Sequence, residues 1–237
     1  VVTSQQTVDS DVVLGVVPEG WYGIRHALES RVTHMSTPEA SVATARRIRP
    51  KQVVFGGFMD TWLATARHIK SLGCEVVATW HSTPVLDEFG DANRRSLVQV
   101  IDATKAGIID YISTPHEGMA KSLSALPGVK AVYEPNCIVI PDLMEFEKLP
   151  GLNIGLFGTG LPWKNVDTQI FAAAIVPGVT NLHLQNLTFP DLVNRLGVPH
   201  IVHPYMKDRK EFYRLASSMQ VNLAVGVTET FGYFAAE

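Results

Sequence analysis

The sequence is poor in several features that mark particular classes of protein. No apolar run approaches the roughly 18 residues that a membrane-spanning helix requires, and no basic segment followed by an apolar stretch opens the chain. Charged residues make up 18% of the 237 residues, and the formal net charge is −3. This balance provides no basic field for nucleic acid or for an anionic membrane. We therefore expect neither a membrane span nor a nucleic-acid partner.

Cysteine is also scarce, and no spacing of ligands indicates a metal. Cys74 and Cys137 are the two cysteines and show no CxxC spacing, so we expect small buried residues in a reducing compartment, the cytoplasm. His200 and His203 lie on one predicted strand at a spacing that places them on opposite faces, which argues against a shared metal. No spacing supports a Ser/His/Asp triad either. The sequence predicts neither a metal nor a cofactor.

The sequence does contain a regular alternation of short apolar runs with helical periodicity. Strands are predicted at residues 11–17, 52–55, 75–80, 111–113, 129–133, 138–140, 152–157, 181–185, 200–203 and 221–225. Helices are predicted at residues 22–31, 37–49, 60–72, 93–109, 114–126, 163–174, 190–196 and 208–219. Because parallel neighbouring strands can be joined only through a crossover, the alternation predicts parallel sheets with helices packed on them.

Prolines and acidic residues interrupt this alternation at Pro141 to Pro150, which we predict to be a linker. The predicted fold class is therefore α/β, with two tandem doubly wound (Rossmann-like) domains at residues 1–145 and 151–237. The chain starts without Met and ends inside a predicted helix, so we expect a piece of a longer protein whose second domain is incomplete. In this architecture ligands bind outside the carboxyl ends of strands or in the cleft between domains.

Three predicted helices have marked starts. Thr37 supplies a capping hydroxyl directly before a proline at the first helical position. Thr114 and Glu117 have the spacing of a capping box, again with a proline after the threonine. Asp208 precedes an apolar stripe with a similar spacing to Glu211. We also expect Asp60 to cap the helix that follows it.

Four turns that follow predicted strands carry the candidate functional residues. Lys164 ends a glycine-rich turn after strand 152–157, and His81 follows strand 75–80. Asn136 lies in the loop before the linker, and Glu229 and Glu237 follow the last apolar run. A glutamate at a helix start is favoured by the helix dipole, so the two carboxylates taken alone are better explained as a charged helix cap than as a ligand site.

The glycine-rich turn is a weak signal when it is taken alone. Backbone N–H groups of such a turn can hold phosphate oxygens, and Lys164 could add a positive charge. However, Trp163 stands where a dinucleotide fingerprint has its third glycine, and no Lys-Ser/Thr pair follows Gly160. A tight turn with a surface lysine accounts for the same residues.

Several segments together carry a family resemblance. They are the strand-histidine turn VVATWHSTP at residues 76–84, the segment 111–123, the loop EPNCIV at residues 134–139, the segment 154–173, and the spacing Glu229-x7-Glu237 with Phe231-Gly232 inside it. These segments resemble the retaining group 1 glycosyltransferases of the GT-B fold. The resemblance implies a hexosyltransferase that moves a sugar from a nucleotide-sugar donor to an acceptor with retention of configuration, without a metal.

The resemblance also implies roles for individual residues. Residues 1–145 would form the acceptor-side domain and residues 151–237 the nucleotide-sugar-binding domain. Glu237 would bind the ribose hydroxyls, Glu229 would lie beside the donor sugar, and Lys164 would contact the diphosphate. Glu229 and His81 would be the catalytic residues. The donor-binding residues would be Lys164, Gly158, Thr159, Phe231, Gly232, Glu237 and Asn136.

The sequence departs from the family pattern at several places, and the glycine-rich loop that the family has near its N-terminus is not evident before Asp11. The family usually has an arginine shortly before the lysine, where Thr159-Gly160 stand here, and Cys137 replaces the usual glycine of its loop. These departures leave open a second interpretation, a GT-B-like scaffold or interaction module with weak or no activity. A third is a nucleotide-sugar epimerase, which shares the two-domain architecture.

Overall fold

The computed structural model describes residues 11–81, 91–136, 146–157, 164–185, 190–206 and 208–225. The chain divides into two compact units, Val1–Val139 and Ile140–Glu237. The first half of the predicted linker, residues 141–145, and the predicted strand at residues 138–140 lie outside the described residues. None of the helices within the described ranges is long and apolar enough to cross a membrane.

The first unit contains a six-stranded sheet in which every recorded strand pair is parallel. Its strand order is β2-β1-β3-β4-β5-β6. The elements are β1 (Val13–Val16), α1 (Tyr22–Glu29), β2 (His34–Ser36), α2 (Pro38–Ile48), β3 (Gln52–Gly56), a 3-10 turn (Asp60–Trp62), α3 (Leu63–Ser71), β4 (Glu75–Thr79), α4 (Asp91–Lys105), β5 (Tyr111–Thr114), α5 (Glu117–Ser124) and β6 (Ala131–Tyr133).

Helices cover the two faces of this sheet unequally. Residues of α2, α3, α4 and α5 pack on one face in the larger apolar cluster, which includes Phe55, Val76 and Ile112 of the strands. On the other face, Leu28 of α1 packs against Val54 and the neighbouring apolar side chains of the sheet. Burial of β3 and β4 on both faces explains why their sequences are nearly continuous apolar runs.

The second unit contains a four-stranded parallel sheet in the order β10-β7-β8-β9. Its elements are β7 (Leu152–Leu156), α6 (Val166–Ala174), β8 (Val179–Gln185), α7 (Pro190–Leu196), β9 (His200–His203), α8 (Arg209–Ser218) and β10 (Val221–Asn222). The first two helices pack on one face through Ile170 and Val193. On the other face, Phe212 of α8 packs with Phe157 and Met219.

Two of the predicted helix starts are confirmed. The hydroxyl of Thr37 accepts a hydrogen bond from Ala40 N at 3.4 Å, and Pro38 is the first residue of α2. The carboxylate of Asp208 accepts from Lys210 N at 2.8 Å at the start of α8. In both helices the capping bond joins residues only two or three positions apart, so the local sequence was sufficient to predict the helix start.

The capping box predicted at Thr114 is wrong. Thr114 is the last residue of β5, and its carbonyl accepts a hydrogen bond from Glu134 N at 2.9 Å. Its hydroxyl accepts from His116 N at 3.3 Å, and His116 is the N-cap of α5 without a side-chain cap bond. Pairing with β6 therefore holds Thr114 in the strand, and the helix begins later than its local sequence indicates.

Three smaller predictions also need correction. Asp60 begins a 3-10 turn and does not cap α3. The three-residue strand β2 was not predicted, because it is too short to show a periodicity. The run at residues 221–225 was predicted to be a buried strand, but only Val221–Asn222 pair, and Val221 is 43% exposed. Within the described residues β10 has β7 as its one sheet neighbour.

Candidate functional site

Each sheet has one point at which the chain reverses its direction of progress across the strands. Ligands of open α/β sheets bind at this switch point, outside the carboxyl ends of the two strands concerned. In the first sheet the switch point lies between β1 and β3, and in the second it lies between β7 and β10. These two places are therefore the first candidates for a ligand site.

Aromatic side chains fill the switch point of the first sheet. The ring centroids of Trp21 and Trp62 are 5.7 Å apart, and Phe55 lies 5.7 Å from Phe58 in an edge-to-face arrangement. Gly57 turns the chain here with a φ of 88°, and a Cβ on it would lie 2.7 Å from Cζ3 of Trp21. We call these four rings and Gly57 the aromatic plug. Packing of this kind makes the crevice part of the core.

The polar groups of the first unit lie instead at the carboxyl ends of the neighbouring strands. His81 lies two positions after the last residue of β4 and is 3% exposed. Burial, with smaller contributions from the positive charge of Arg31 and from His116, lowers the pKa of His81 from 6.5 to about 3. The imidazole is therefore neutral at physiological pH and can donate one hydrogen bond and accept another.

Further polar groups lie near His81, on β4 itself and at the end of the neighbouring strand β5. Nε2 of His116 donates to the carbonyl of His81 at 3.4 Å, since a carbonyl can only accept. On the adjoining strands the hydroxyl of Ser113 donates to that of Thr79 at 2.8 Å, and both residues are fully buried. The carboxyl ends of β4 and β5 are therefore joined by two side-chain contacts, one between hydroxyls and one from an imidazole to a carbonyl.

An ion pair holds the loop that contains Asn136. Arg31, in the turn after α1, donates to a carboxylate oxygen of Glu134, although the two residues are 103 positions apart. Their side chains are 19% and 26% exposed, and Asn136 follows two positions later. Sequence reasoning missed Arg31, because no local pattern connects it to this loop.

Polar groups lie among the described residues at the switch point of the second sheet. Lys164 is two positions before the first residue of α6, and Asn165 between them caps that helix in the left-handed region with a φ of 52°. Asparagine tolerates this conformation better than most residues. No side-chain cap bond is recorded for the start of α6. Its first N–H groups lie beside Lys164, an arrangement that suits an anion.

A buried glutamine joins the two sides of this switch point. Nε2 of Gln169, in the first turn of α6, donates to the carbonyl of Lys164 at 2.7 Å and to that of Val225 at 3.1 Å. Its Oε1 accepts from Val225 N at 3.3 Å. Gln169 is 4% exposed and occupies an inward position between Val166 and Ala173. That polar exception in an apolar stripe was the one signal in the sequence that could have identified it.

A second polar network lies on the same sheet. Nδ2 of Asn153 donates to the carbonyl of Pro150 at 3.0 Å, which leaves its Oδ1 facing Nε2 of His183 at 3.1 Å. Nε2 of His183 must therefore be the donor, and its Nδ1 accepts from Nε2 of His203 at 3.0 Å. Burial lowers the pKa of both histidines, and for His183 the neighbouring His203 lowers it further.

The structure places the predicted site residues in two groups. His81 and Asn136 belong to the first unit and Lys164 to the second. The other predicted residues lie outside the described ranges; they are Gly158, Thr159, Glu229, Phe231, Gly232 and Glu237. Within the described ranges, no three His, Cys, Asp or Glu side chains are grouped so as to hold a metal ion. Cys74 is buried as predicted.

Comparisons with known proteins establish the fold. No family model and no curated protein sequence matches the chain. Among solved structures, the chain is similar to sucrose-phosphate synthase from Thermosynechococcus elongatus, with 12% identity, a TM-score of 0.65, and coverage of 93% of this chain and 77% of that one. It is also similar to the Anabaena protein HepE in complex with UDP, with 12% identity, a TM-score of 0.62, and coverage of 92% and 74%.

A third similar structure is the E. coli trehalose-6-phosphate structure bound with UDP-2-fluoro glucose. It shares 10% identity and a TM-score of 0.57, and the match covers 93% of this chain and 79% of that one. At sequence identities of 10–12%, the structural similarity shows the architecture alone. The chain has the predicted α/β architecture of two Rossmann-like parallel sheets, in the manner of the GT-B glycosyltransferases.

Proposed function

We propose that the protein is a glycosyltransferase that moves a sugar from a nucleotide-sugar donor to an acceptor with retention of configuration. The observation that carries the proposal is the polar switch point of the second unit, where Lys164 precedes the start of α6. The fold supports it, because HepE has been solved with UDP and the E. coli neighbour with UDP-2-fluoro glucose. The family resemblance of the sequence points to the same activity.

The arrangement suits a diphosphate leaving group. When the bond between the sugar and the diphosphate breaks, negative charge develops on the phosphate oxygens. Lys164 supplies a positive charge, and the N–H groups at the start of α6 supply oriented dipoles. We propose that Gly158 and Thr159 of the turn before Lys164, and the Phe231-Gly232 pair, contribute further contacts to the donor.

Two residues have proposed roles at the sugar. Glu229 supplies a carboxylate close to the positive charge that develops on the ring, and Glu237 binds the ribose hydroxyls. His81 is neutral because of its lowered pKa, so its imidazole can exchange hydrogen bonds with a hydroxyl group without adding a charge. The Arg31–Glu134 pair fixes the loop from which Asn136 would contact the donor.

The first experiment measures nucleotide binding. Calorimetry with UDP, GDP and ADP on the unaltered protein identifies the nucleotide. In Lys164→Ala we expect the affinity for that nucleoside diphosphate to fall roughly tenfold to a hundredfold, because a charge-assisted contact is lost. Lys121→Ala is the control, since Lys121 lies on α5 of the first unit with 74% of its side chain exposed. Equal affinity in both variants would contradict the proposal.

The second experiment measures chemistry. A panel of UDP-sugars with and without an acceptor separates transfer from epimerisation, because an epimerase converts the donor alone. Glu229→Ala should reduce transfer by at least a hundredfold if its carboxylate acts on the transition state, as the loss of one such group typically does. Unchanged transfer in this variant would remove Glu229 from the proposed catalytic residues.

A further inference from the structure

The side chain of Gln169 contacts both chain segments that meet at the switch point of the second sheet. It reaches the backbone before α6 at Lys164 O and the backbone after β10 at both Val225 O and Val225 N. Gln169 and Val225 are 56 positions apart along the chain. Among the described residues, it is the one side chain recorded with hydrogen bonds to both segments.

The geometry of the contact resembles a strand pair. A primary amide presents one donor and one acceptor group side by side, as a peptide group of a neighbouring strand does. Directly after β10, the backbone bond from Leu223 N to Gly155 O, at 2.8 Å, still joins the chain to β7. Two residues later, the N–H and the carbonyl of Val225 bond to the side-chain amide of Gln169 instead of to a backbone peptide of β7. The side chain thus extends the pairing beyond the end of β7.

An apolar residue at position 169 would break these bonds and leave buried groups without partners. The carbonyl of Lys164 and both polar backbone atoms of Val225 would lose their recorded contacts with position 169. A glutamate would keep the acceptor for Val225 N but would turn a carboxylate oxygen towards two carbonyl oxygens. Glutamine therefore satisfies all three atoms, whereas side chains of similar size do not.

We propose that Gln169 is a positioning residue for the donor site. It fixes the distance between the backbone of Lys164 and the backbone that leaves β10, so that groups from both segments can contact one ligand. This inference rests on the proposed function, because it takes the ligand to be a nucleoside diphosphate. Gln169 itself touches the two backbones and has no proposed contact with the reacting atoms.

The second unit contains a matched control. The side-chain amide of Gln220 also bonds to distant backbone, in this case to one stretch at the start of β7. Its Oε1 accepts from Asn153 N at 2.7 Å, and its Nε2 donates to Leu149 O at 2.6 Å. It lies just before β10, at the amino end of the sheet. Replacing Gln220 therefore removes the same kind of bridge from the same unit, but at the end opposite to the switch point.

The experiment compares Gln169→Leu with Gln220→Leu in two measurements. Hydrogen–deuterium exchange followed by mass spectrometry should show faster exchange at residues 223–225 in Gln169→Leu, because the bond from Val225 N is lost. It should show no change there in Gln220→Leu. In calorimetry, Gln169→Leu should bind UDP roughly tenfold more weakly than the unaltered protein. Gln220→Leu should bind UDP within a factor of two of it (about 0.4 kcal/mol or less).

A second comparison separates positioning from a general loss of stability. UDP should lose more affinity in Gln169→Leu than uridine does, since Lys164 is proposed to contact the diphosphate. A structural defect alone would weaken both ligands equally. Gln169→Glu, which keeps the size of the side chain, tests the same point if Gln169→Leu does not fold. It should also bind UDP more weakly than Gln220→Glu.

Failure of the inference and failure of the proposed function have different signatures. If the unaltered protein binds UDP and Gln169→Leu binds it equally well, the positioning role is overturned and the proposed function stands. Unchanged exchange at residues 223–225 in Gln169→Leu overturns the positioning role as well. If the unaltered protein binds no nucleoside diphosphate, the proposed function is overturned and the positioning role with it.

Discussion

The switch points of the two sheets occupy corresponding places in their units but are built from opposite kinds of side chain. In the first unit, Trp62 and Phe58 are 6% and 4% exposed and belong to the aromatic plug. In the second unit, the same place holds Lys164 and the amide of Gln169. One crevice has become part of a core, while the other presents polar groups held at fixed distances.

This difference explains where each unit can contribute to a ligand site. With its crevice filled, the first unit carries its polar groups farther along the sheet, at the ends of β4, β5 and β6. There His81, His116 and Glu134 follow the strands in turn. In the second unit, the described residues at the crevice present Lys164 and the Gln169 amide. Shared architecture therefore does not give the two units the same binding chemistry.

The largest effect is expected from removal of a ring of the aromatic plug. Phe55 is fully buried and contacts both Phe58 and Trp62. Phe55→Ala should lower the free energy of unfolding by about 3–5 kcal/mol, as is typical for loss of a buried phenylalanine. Chemical denaturation followed by tryptophan fluorescence measures this, because three of the four tryptophans, Trp21, Trp62 and Trp80, lie in the first unit.

The same variant tests the comparison of the switch points. If the first crevice is only core, Phe55→Ala should leave UDP affinity unchanged at temperatures where the protein is folded. Specific loss of UDP binding in folded Phe55→Ala would show that the first switch point also takes part in binding. If Phe55→Ala lowered the free energy of unfolding by less than about 1 kcal/mol, the aromatic plug would not be part of the core.

The next effect concerns acid. The pKa of His81 is about 3 in the folded protein and 6.5 when unfolded, so below pH 6.5 the unfolded chain binds a proton that the folded protein does not. The free energy of unfolding should therefore fall as pH decreases from 6.5 towards 3, by about 1.4 kcal/mol per pH unit from this group. Denaturation at pH 7.0, 6.0 and 5.0 measures the slope.

Substitutions of single histidines show which unit is responsible for the change of the free energy of unfolding with pH. His81→Gln should flatten the pH dependence of the first unit, and a slope unchanged from the unaltered protein would contradict the assignment. In the second unit, the pKa values of His183 and His203 are also lowered, so their contribution has the same sign. His183→Gln should reduce the acid sensitivity of hydrogen exchange in β8 and leave hydrogen exchange in β3 and β4 of the first unit unchanged.

The turn of the aromatic plug gives a smaller effect with a close control. Gly57 and Gly73 have φ values of 88° and 86°, but an added Cβ meets Trp21 at 2.7 Å in the first case and nothing within 4 Å in the second. Gly73→Ala should cost about 1 kcal/mol for backbone strain alone. Gly57→Ala should cost about 1–2 kcal/mol more, because the ring must also move. If both variants lost the same free energy of unfolding, the Trp21 ring would move away from the added methyl group without measurable cost.

Local sequence predicted the features that are satisfied within a few positions. Thr37 and Asp208 cap their helices through residues two or three positions ahead, and those starts were correct. Thr114 carried a similar pattern, yet a backbone bond from Glu134, which is distant in sequence, keeps it in β5. Strand pairing thus decided a boundary that capping chemistry alone would place earlier.

The same distinction applies to the candidate site. Lys164 and His81 could be selected because each follows a predicted strand, and strand ends are where ligands bind in this fold. The contacts that hold the site join residues far apart in sequence, such as Gln169 with Val225 and Arg31 with Glu134. Sequence patterns report neighbours along the chain, so these partners became evident only from the packed sheets.

The smallest effects come from two ion pairs of the first unit. Arg31 and Glu134 have side chains 19% and 26% exposed, whereas Lys121 and Glu117 on α5 are 74% and 63% exposed. A double-mutant cycle with Arg31→Met and Glu134→Gln should give a coupling energy of about 1–2 kcal/mol. The same cycle with Lys121→Met and Glu117→Gln should give about 0.3–0.5 kcal/mol.

Salt separates the two pairs further, because ions screen exposed charges more than partly buried ones. Raising NaCl from 0.05 to about 0.5 M should remove most of the coupling between Lys121 and Glu117 and leave most of that between Arg31 and Glu134. If the coupling between Arg31 and Glu134 disappears at the same salt concentration, the pair is effectively solvated. Its carboxylate could not then hold the Asn136 loop, and Asn136 would lose the structural support for its proposed contact with the donor.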